Sequence, residues 1–185
     1  MTKVQRHEVL SKGDYDVARN LIREQVMKQK ELRRVHLGDY LTFLFENHDT
    51  VLYQIQEMIR AENHLGDREI QHEIDTYNEL VGAKGELGCT LLIEIESPEK
   101  RDVLLSQWLD LPSRLYIKTQ SGKRIPAQFD PRQIGERRIS SVHYLKFALG
   151  DQVPSHLGSS HPGYELEVEL RPEQVTALLK DLVSS

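Results

Sequence analysis

Two periodicities divide the chain. From residue 14 to residue 81 apolar positions recur mostly at steps of three and four, the spacing of one helix face. Beyond residue 86 they mostly alternate, the spacing of a strand. In "DYDVARNLIREQVMKQKELRRV" the stripe is Val17, Leu21, Ile22, Val26 and Leu32, and Asp14 is the expected N-cap. A turn at Gly38 and Asp39 leads into "LTFLFEN", where Leu41, Phe43 and Phe45 alternate with Thr42, Leu44 and Glu46 and predict a strand. "TVLYQIQEMIRAENH" then predicts a helix capped by Asp49. Its apolar arc is Val51, Leu52, Ile55, Met58 and Ile59, with Glu62 falling inside that arc. Tyr53, Glu57, Arg60 and His64 line up on the opposite side. A further helix, "REIQHEIDTYNELV", carries Ile70, Ile74, Tyr77 and Val81 on one stripe, with Glu73 at its border.

The second half predicts strands in "LGCTLLIEI", in "SVHYLKFAL" with His143, Leu145, Phe147 and Leu149 on one side, and in "YELEVEL" with Tyr164, Leu166, Val168 and Leu170 inward. "RLYIKTQSGKRIPAQFD" reads as a hairpin turning at Ser121-Gly122. "SPEKRDVLLSQWL" is a helix with Ser97 as cap and Pro98 at its first position, and "RPEQVTALLKDLV" is a last helix. "DPRQIGERRIS" and "GDQVPSHLGSSHPG" remain as long loops. Helices first and mostly adjacent strands afterwards imply an α+β fold, with N-terminal helices packed on a mainly antiparallel sheet and a C-terminal helix. The expected organisation is a single domain over residues 1–185, with 1–34 a helical N-terminal segment.

Composition narrows the function classes. With 38% hydrophobic and 29% charged residues the chain has ordinary globular content. No apolar run is long enough to span a bilayer, and "MTKVQRHEVL" lacks a signal-peptide core, so the expectation is a cytoplasmic protein. A net charge of -5 argues against nucleic acid, whose binding requires neutralising phosphates. The basic run "KQKELRRVH" is read as cations favouring the negative end of a helix. The single cysteine, Cys89, rules out an intramolecular disulfide and a cysteine-rich zinc site.

Polar residues on expected buried surfaces are the candidates for chemistry, because burying charge is costly. Glu62 and Glu73 on successive helices, with His143 and His161 from neighbouring strands, form a set suited to non-heme iron, manganese or zinc. Bland roles stand beside that one. Glu62 can bend out to water, Glu73 can pair with Arg60, His143 can be a core histidine bonded to a carbonyl, and His161 can shape a turn. The stripe of Tyr53, Glu57 and Arg60 offers acid–base groups or an anion-binding groove through Arg60; solvated decoration, with Glu57 paired to Arg60, is the plain alternative.

"RRVHLGDYLTFLFEN", "YQIQEMIRAE", "SVHYLKF" and "HPGY", in that order, resemble a bacterial family catalogued as domain of unknown function 3501 (DUF3501). The likeness runs from the first helix through "HPGY", and "YQIQEM" is its most specific part. The family pattern picks out Tyr53, Gln54, Gln56, Glu57, Arg60, Glu62, His143, His161 and Tyr164, and this chain departs from it with Ser160 where an aspartate is usual. Members look like genomic neighbours of rubrerythrin-type and iron–sulfur, heterodisulfide-reductase-like oxidoreductases. The resemblance therefore implies a redox or peroxide-handling setting with a redox-protein partner. Two functions are expected on this basis. One is an accessory or ligand-binding module with a pocket near the "YQIQEM" helix; the other is a small metal-dependent enzyme using the Glu/His set.

Overall fold

The computed structural model describes residues 2–62 and 66–183. Helix α1 (Lys12–Glu31) starts ahead of Asp14, because its cap is Ser11, whose side chain accepts the Asp14 amide. It also ends sooner than its basic tail suggests. Residues Arg34–Leu37 form strand β1, in which Val35 and Leu37 are buried while Arg34 and His36 are exposed. The remaining elements are β2 (Leu41–Glu46), α2 (His48–Ala61), α3 (Asp67–Tyr77), β3 (Glu86–Ile93), α4 (Pro98–Gln107), β4 (Leu115–Thr119), β5 (Arg124–Pro126), β6 (Val142–Ala148), β7 (Pro154–His161), β8 (Tyr164–Glu169) and α5 (Pro172–Val183). Asn47 rather than Asp49 caps α2, accepting the Thr50 amide through its side chain.

The strands make two antiparallel four-stranded sheets, ordered β1-β2-β3-β6 and β5-β4-β7-β8. Phe43, Phe45, Leu91 and Phe147 from the first sheet share one core with Leu115, Ile117 and Leu157 from the second. The sheets are tied at both margins. The backbone of Gln128, just past β5, exchanges two hydrogen bonds with Lys146 of β6. On the far side the Tyr164 hydroxyl donates to the Leu37 carbonyl and accepts the Tyr40 amide. Leu105 of α4 and Leu178 and Leu182 of α5 complete this core.

Strand β7 lies where the sequence reads as a loop. Its residues "PSHLGSSH" include no β-branched aliphatic or aromatic side chain, so the pattern that marks a strand is missing. Gly158 sits there because the Tyr116 ring lies across it: a Cβ would come within 2.5 Å of the ring. In β8 the expected inward face is only partly buried, and Leu166 is exposed.

A second apolar cluster lies outside the first sheet, built from Val51, Ile55 and Ile59 of α2, Ile74 of α3, and Val4, Val9, Leu80 and Val81. The Leu80 carbonyl passes so close over β3 that a Cβ on Gly88 would sit 1.8 Å from it. Helix α1 follows its stripe only in part: Val26 is buried and Ile22 half-buried, but Val17 and Leu21 are 89% and 63% exposed, and Tyr15, outside the stripe, is buried. The helix is held by polar contacts to α2 that the apolar periodicity does not record.

Candidate functional site

The polar stripe of α2 is an interface with α1. Glu57 accepts the Tyr15 hydroxyl at 2.7 Å and both a 2.7 Å and a 2.8 Å bond from the Arg19 guanidinium. Arg19, with help from Tyr15, holds the Glu57 carboxyl down to about 2, so it stays ionised and is no proton acceptor near neutral pH. Arg60 pairs with Asp16 at 2.7 Å, across to α1, and with neither Glu57 nor Glu73. Tyr53 is buried beneath Lys30, whose Nζ stands 5.4 Å from the ring centroid. Gln56 bonds both backbone groups of Leu10, accepting its amide at 2.5 Å and donating to its carbonyl at 3.4 Å. "YQIQEM", the most specific part of the resemblance, thus fastens α1 and the N-terminal strap, residues 2–10. His64 lies outside the described residues.

The four residues expected to hold a metal do not assemble. Among the described residues, no group of three or more His, Cys, Asp or Glu side chains is placed to hold an ion. His143 lies inside the sandwich, fully buried and in register with Leu91 of β3. Its Nε2 donates to the Ser140 carbonyl at 2.9 Å, its Nδ1 has no partner, and burial pulls its pKa down. His161 spends one nitrogen on the β7–β8 turn, Nδ1 accepting the Gly163 amide at 3.0 Å, and turns the other, Nε2, to Asp110 after α4 at 3.1 Å. The Asp110 carboxyl is held below its usual range chiefly by Arg114. Glu62 falls just past the end of α2, on extended backbone and exposed, so the helical arc that seemed to contain it has already stopped. Glu73 is half-buried on α3, outside the sandwich. The physical separation is between layers: imidazoles belong to the sandwich, carboxylates to the helical side.

Glu73 does line a site of another kind. A cleft of about 770 Å³ opens between α3, the Asn78–Leu80 turn that follows it, and β6. Its walls include Tyr77 from α3, Tyr144 from β6 and Phe129 from the segment after β5. Tyr144 is aimed outward because it alternates with the core-facing His143 and Leu145, and its ring is 49% exposed. The Gln133 side chain fixes this stretch by accepting the Tyr144 amide at 2.7 Å and donating to its carbonyl at 3.2 Å. Among the described residues, the hydroxyls of Tyr77 and Tyr144 and the carboxylate of Glu73 take part in none of the molecule's hydrogen bonds. Burial, then Glu73, Tyr144 and Glu62, push the Tyr77 phenol up. The cleft's Asn78 is occupied elsewhere, bonding the amide and carbonyl of Val4 at 2.8 and 2.9 Å.

A larger groove, about 870 Å³, runs between α1, the start of α2 and α5, but its polar groups satisfy one another. Arg33 and Asp181 form a buried two-bond pair at 2.7 and 2.9 Å. His48 lies 3.0 Å from both Glu8 and Asp49, which raise its pKa against the opposing effect of burial. Sequence reasoning missed Arg33–Asp181 and Glu8–His48 because the partners are far apart in the chain. It also missed the aromatic cleft, although the outward place of Tyr144 in an alternating strand was a signal for it. Cys89 is buried, and desolvation pushes its thiol well up, as expected of inert packing.

Comparison with known proteins gives three findings. A family model described as "Protein of unknown function (DUF3501)" matches residues 3–182. A crystal structure from Burkholderia pseudomallei K96243, described as a novel protein of unknown function, is similar with a TM-score of 0.89 and 27% identity, covering 98% of this chain and 100% of that one. No curated protein matches the chain in sequence.

Proposed function

The chain belongs to the DUF3501 family, and on that premise we propose that it is an accessory, ligand-binding protein of a bacterial redox or oxidative-stress system. The observation that carries the ligand-binding half is the cleft between α3 and β6, where aromatic walls meet polar groups that no neighbour satisfies. Ligand sites combine an apolar concavity with a few convergent polar groups, and the cleft has both. The redox setting and a rubrerythrin- or iron–sulfur-type partner rest on the family resemblance. The site differs from the one expected near the "YQIQEM" helix, since that helix's polar side is taken up by α1 and the strap.

Native mass spectrometry of protein purified anaerobically without chelator tests this reading. A small-molecule adduct that disappears in Tyr144→Ala supports it. Near-stoichiometric iron, manganese or zinc, lost on changing His143 or Glu62 to alanine, overturns it in favour of a metal-dependent enzyme.

A further inference from the structure

The charge and shape of the cleft narrow the ligand class, on the reading that it is a ligand site. Tyr77, Phe129 and Tyr144 line one cavity, yet none of the molecule's close ring pairs, Tyr40–Trp108, Tyr40–Tyr164, Phe45–Phe147 and Trp108–Tyr164, joins them. Phe129 packs in part against the sandwich core and Tyr77 against the second apolar cluster, while Tyr144, 49% exposed, is the most open of the three. The cations nearby are diverted or peripheral: Lys146 Nζ lies 3.7 Å from Glu86, Arg132 is folded onto Asp130, and Lys3 is exposed at the rim. The cleft's lining carries two carboxylates, Glu73 and Glu79, that take part in no ion pair among the described residues, against the single exposed ammonium of Lys3. An anionic ligand would meet unpaired carboxylates at this place. A cation would meet aromatic faces, which attract it through their ring quadrupoles, together with a counter-charge.

We propose that the cleft takes an organic cation, a quaternary ammonium or protonated amine on a small apolar body, held between Tyr77 and Tyr144 with Glu73 as its counter-ion. Both Glu73 and Tyr144 are partly exposed and bond nothing through their side chains, so substituting them leaves the fold in place.

The test titrates the full chain with benzyltrimethylammonium, its uncharged carbon isostere neopentylbenzene, and the anion phenylacetate, following the amide resonances of Gln128, Gln133 and Tyr144. The expected result is that the cation moves these signals and binds more tightly than either analogue, with Glu73→Gln and Tyr144→Ala each weakening it about two- to five-fold. Equal or tighter binding of the neutral or anionic probe, or an unchanged affinity in Glu73→Gln, overturns the cation assignment and leaves the cleft as a ligand site for another class. If none of the three probes moves these resonances, the assignment falls and the ligand-site reading loses its observation with it.

Discussion

The interior of the sandwich and the helical layer outside it are held by different chemistry. Inside, Phe43, Phe45, Leu91, Ile117 and Phe147 meet with almost no polar group among them, His143 excepted. Outside, α1 is fastened by Glu57, Arg19, Tyr15, Arg60 and Asp16, while the strap and α5 add polar grips, Asn78 and Gln56 for one and the Arg33–Asp181 pair for the other, to the apolar contacts of Val4, Val9, Leu178 and Leu182. Apolar burial is non-directional and insensitive to pH, whereas a buried polar contact depends on both partners and on their protonation. The sandwich should therefore lose stability through cavities, and the helical layer through orphaned groups.

Five substitutions sharpen that contrast. Phe43→Ala empties the centre of the sandwich and should cost about 3–5 kcal/mol in urea unfolding, equally at pH 7 and pH 5. Asp181→Ala leaves the Arg33 guanidinium buried alone and should cost about 3 kcal/mol, while the double change Arg33→Met with Asp181→Leu should recover most of it. A double variant as unstable as the single one would contradict the polar account of this contact.

Glu57→Gln should cost about 1.5 kcal/mol at pH 7. The carboxyl is depressed from its ordinary 4.5 to about 2, so its contribution is complete above 4.5 and disappears as pH falls through 2. Wild type and variant should converge across that window in acid unfolding, and a gap constant with pH would show that charge is not the cause. Asn78→Ala should release the strap at Val4 for about 1 kcal/mol, read as faster amide exchange at Val4 ahead of the sandwich. Arg60→Ala, which breaks a pair exposed by nearly half on each side, should change thermal stability by less than about 0.5 kcal/mol.

The same contrast explains what could be read from the sequence. Strands of the sandwich were legible where alternation fed an apolar core, as in Leu87, Leu91, Leu145 and Phe147, and the antiparallel α+β class followed from their order. β7 was invisible because its Ser, His and Gly residues carry no such alternation, although its hydrogen bonds make it central to the second sheet. On α1 the stripe held at Val26 and Ile22 but not at the exposed Val17 and Leu21, since polar contacts fasten that end of the helix. For the site, of the four polar residues on expected buried surfaces His143 and His161 are buried, Glu73 is half-buried and Glu62 is exposed. The two histidines are engaged by Ser140, Gly163 and Asp110, and Glu57 of the polar stripe by α1, contacts that periodicity does not record. Tyr77, Phe129 and Tyr144 line one opening because α3, the segment after β5 and β6 come together there, which no spacing along the chain records.

The way the strap is fastened sets how it can come loose. A β-ladder repeats every second residue, so a strand can slide and re-form its rungs at a shifted register. The strap has no ladder: one amide side chain grips Val4, another grips Leu10, and each matches a single peptide. Such a segment cannot creep along its track; it is either at its address or off it. The grip on Val4 lies next to Lys3 of the aromatic cleft, and the grip on Leu10 lies two residues from Glu8 of the groove beside α5, so the two fastenings stand at different openings.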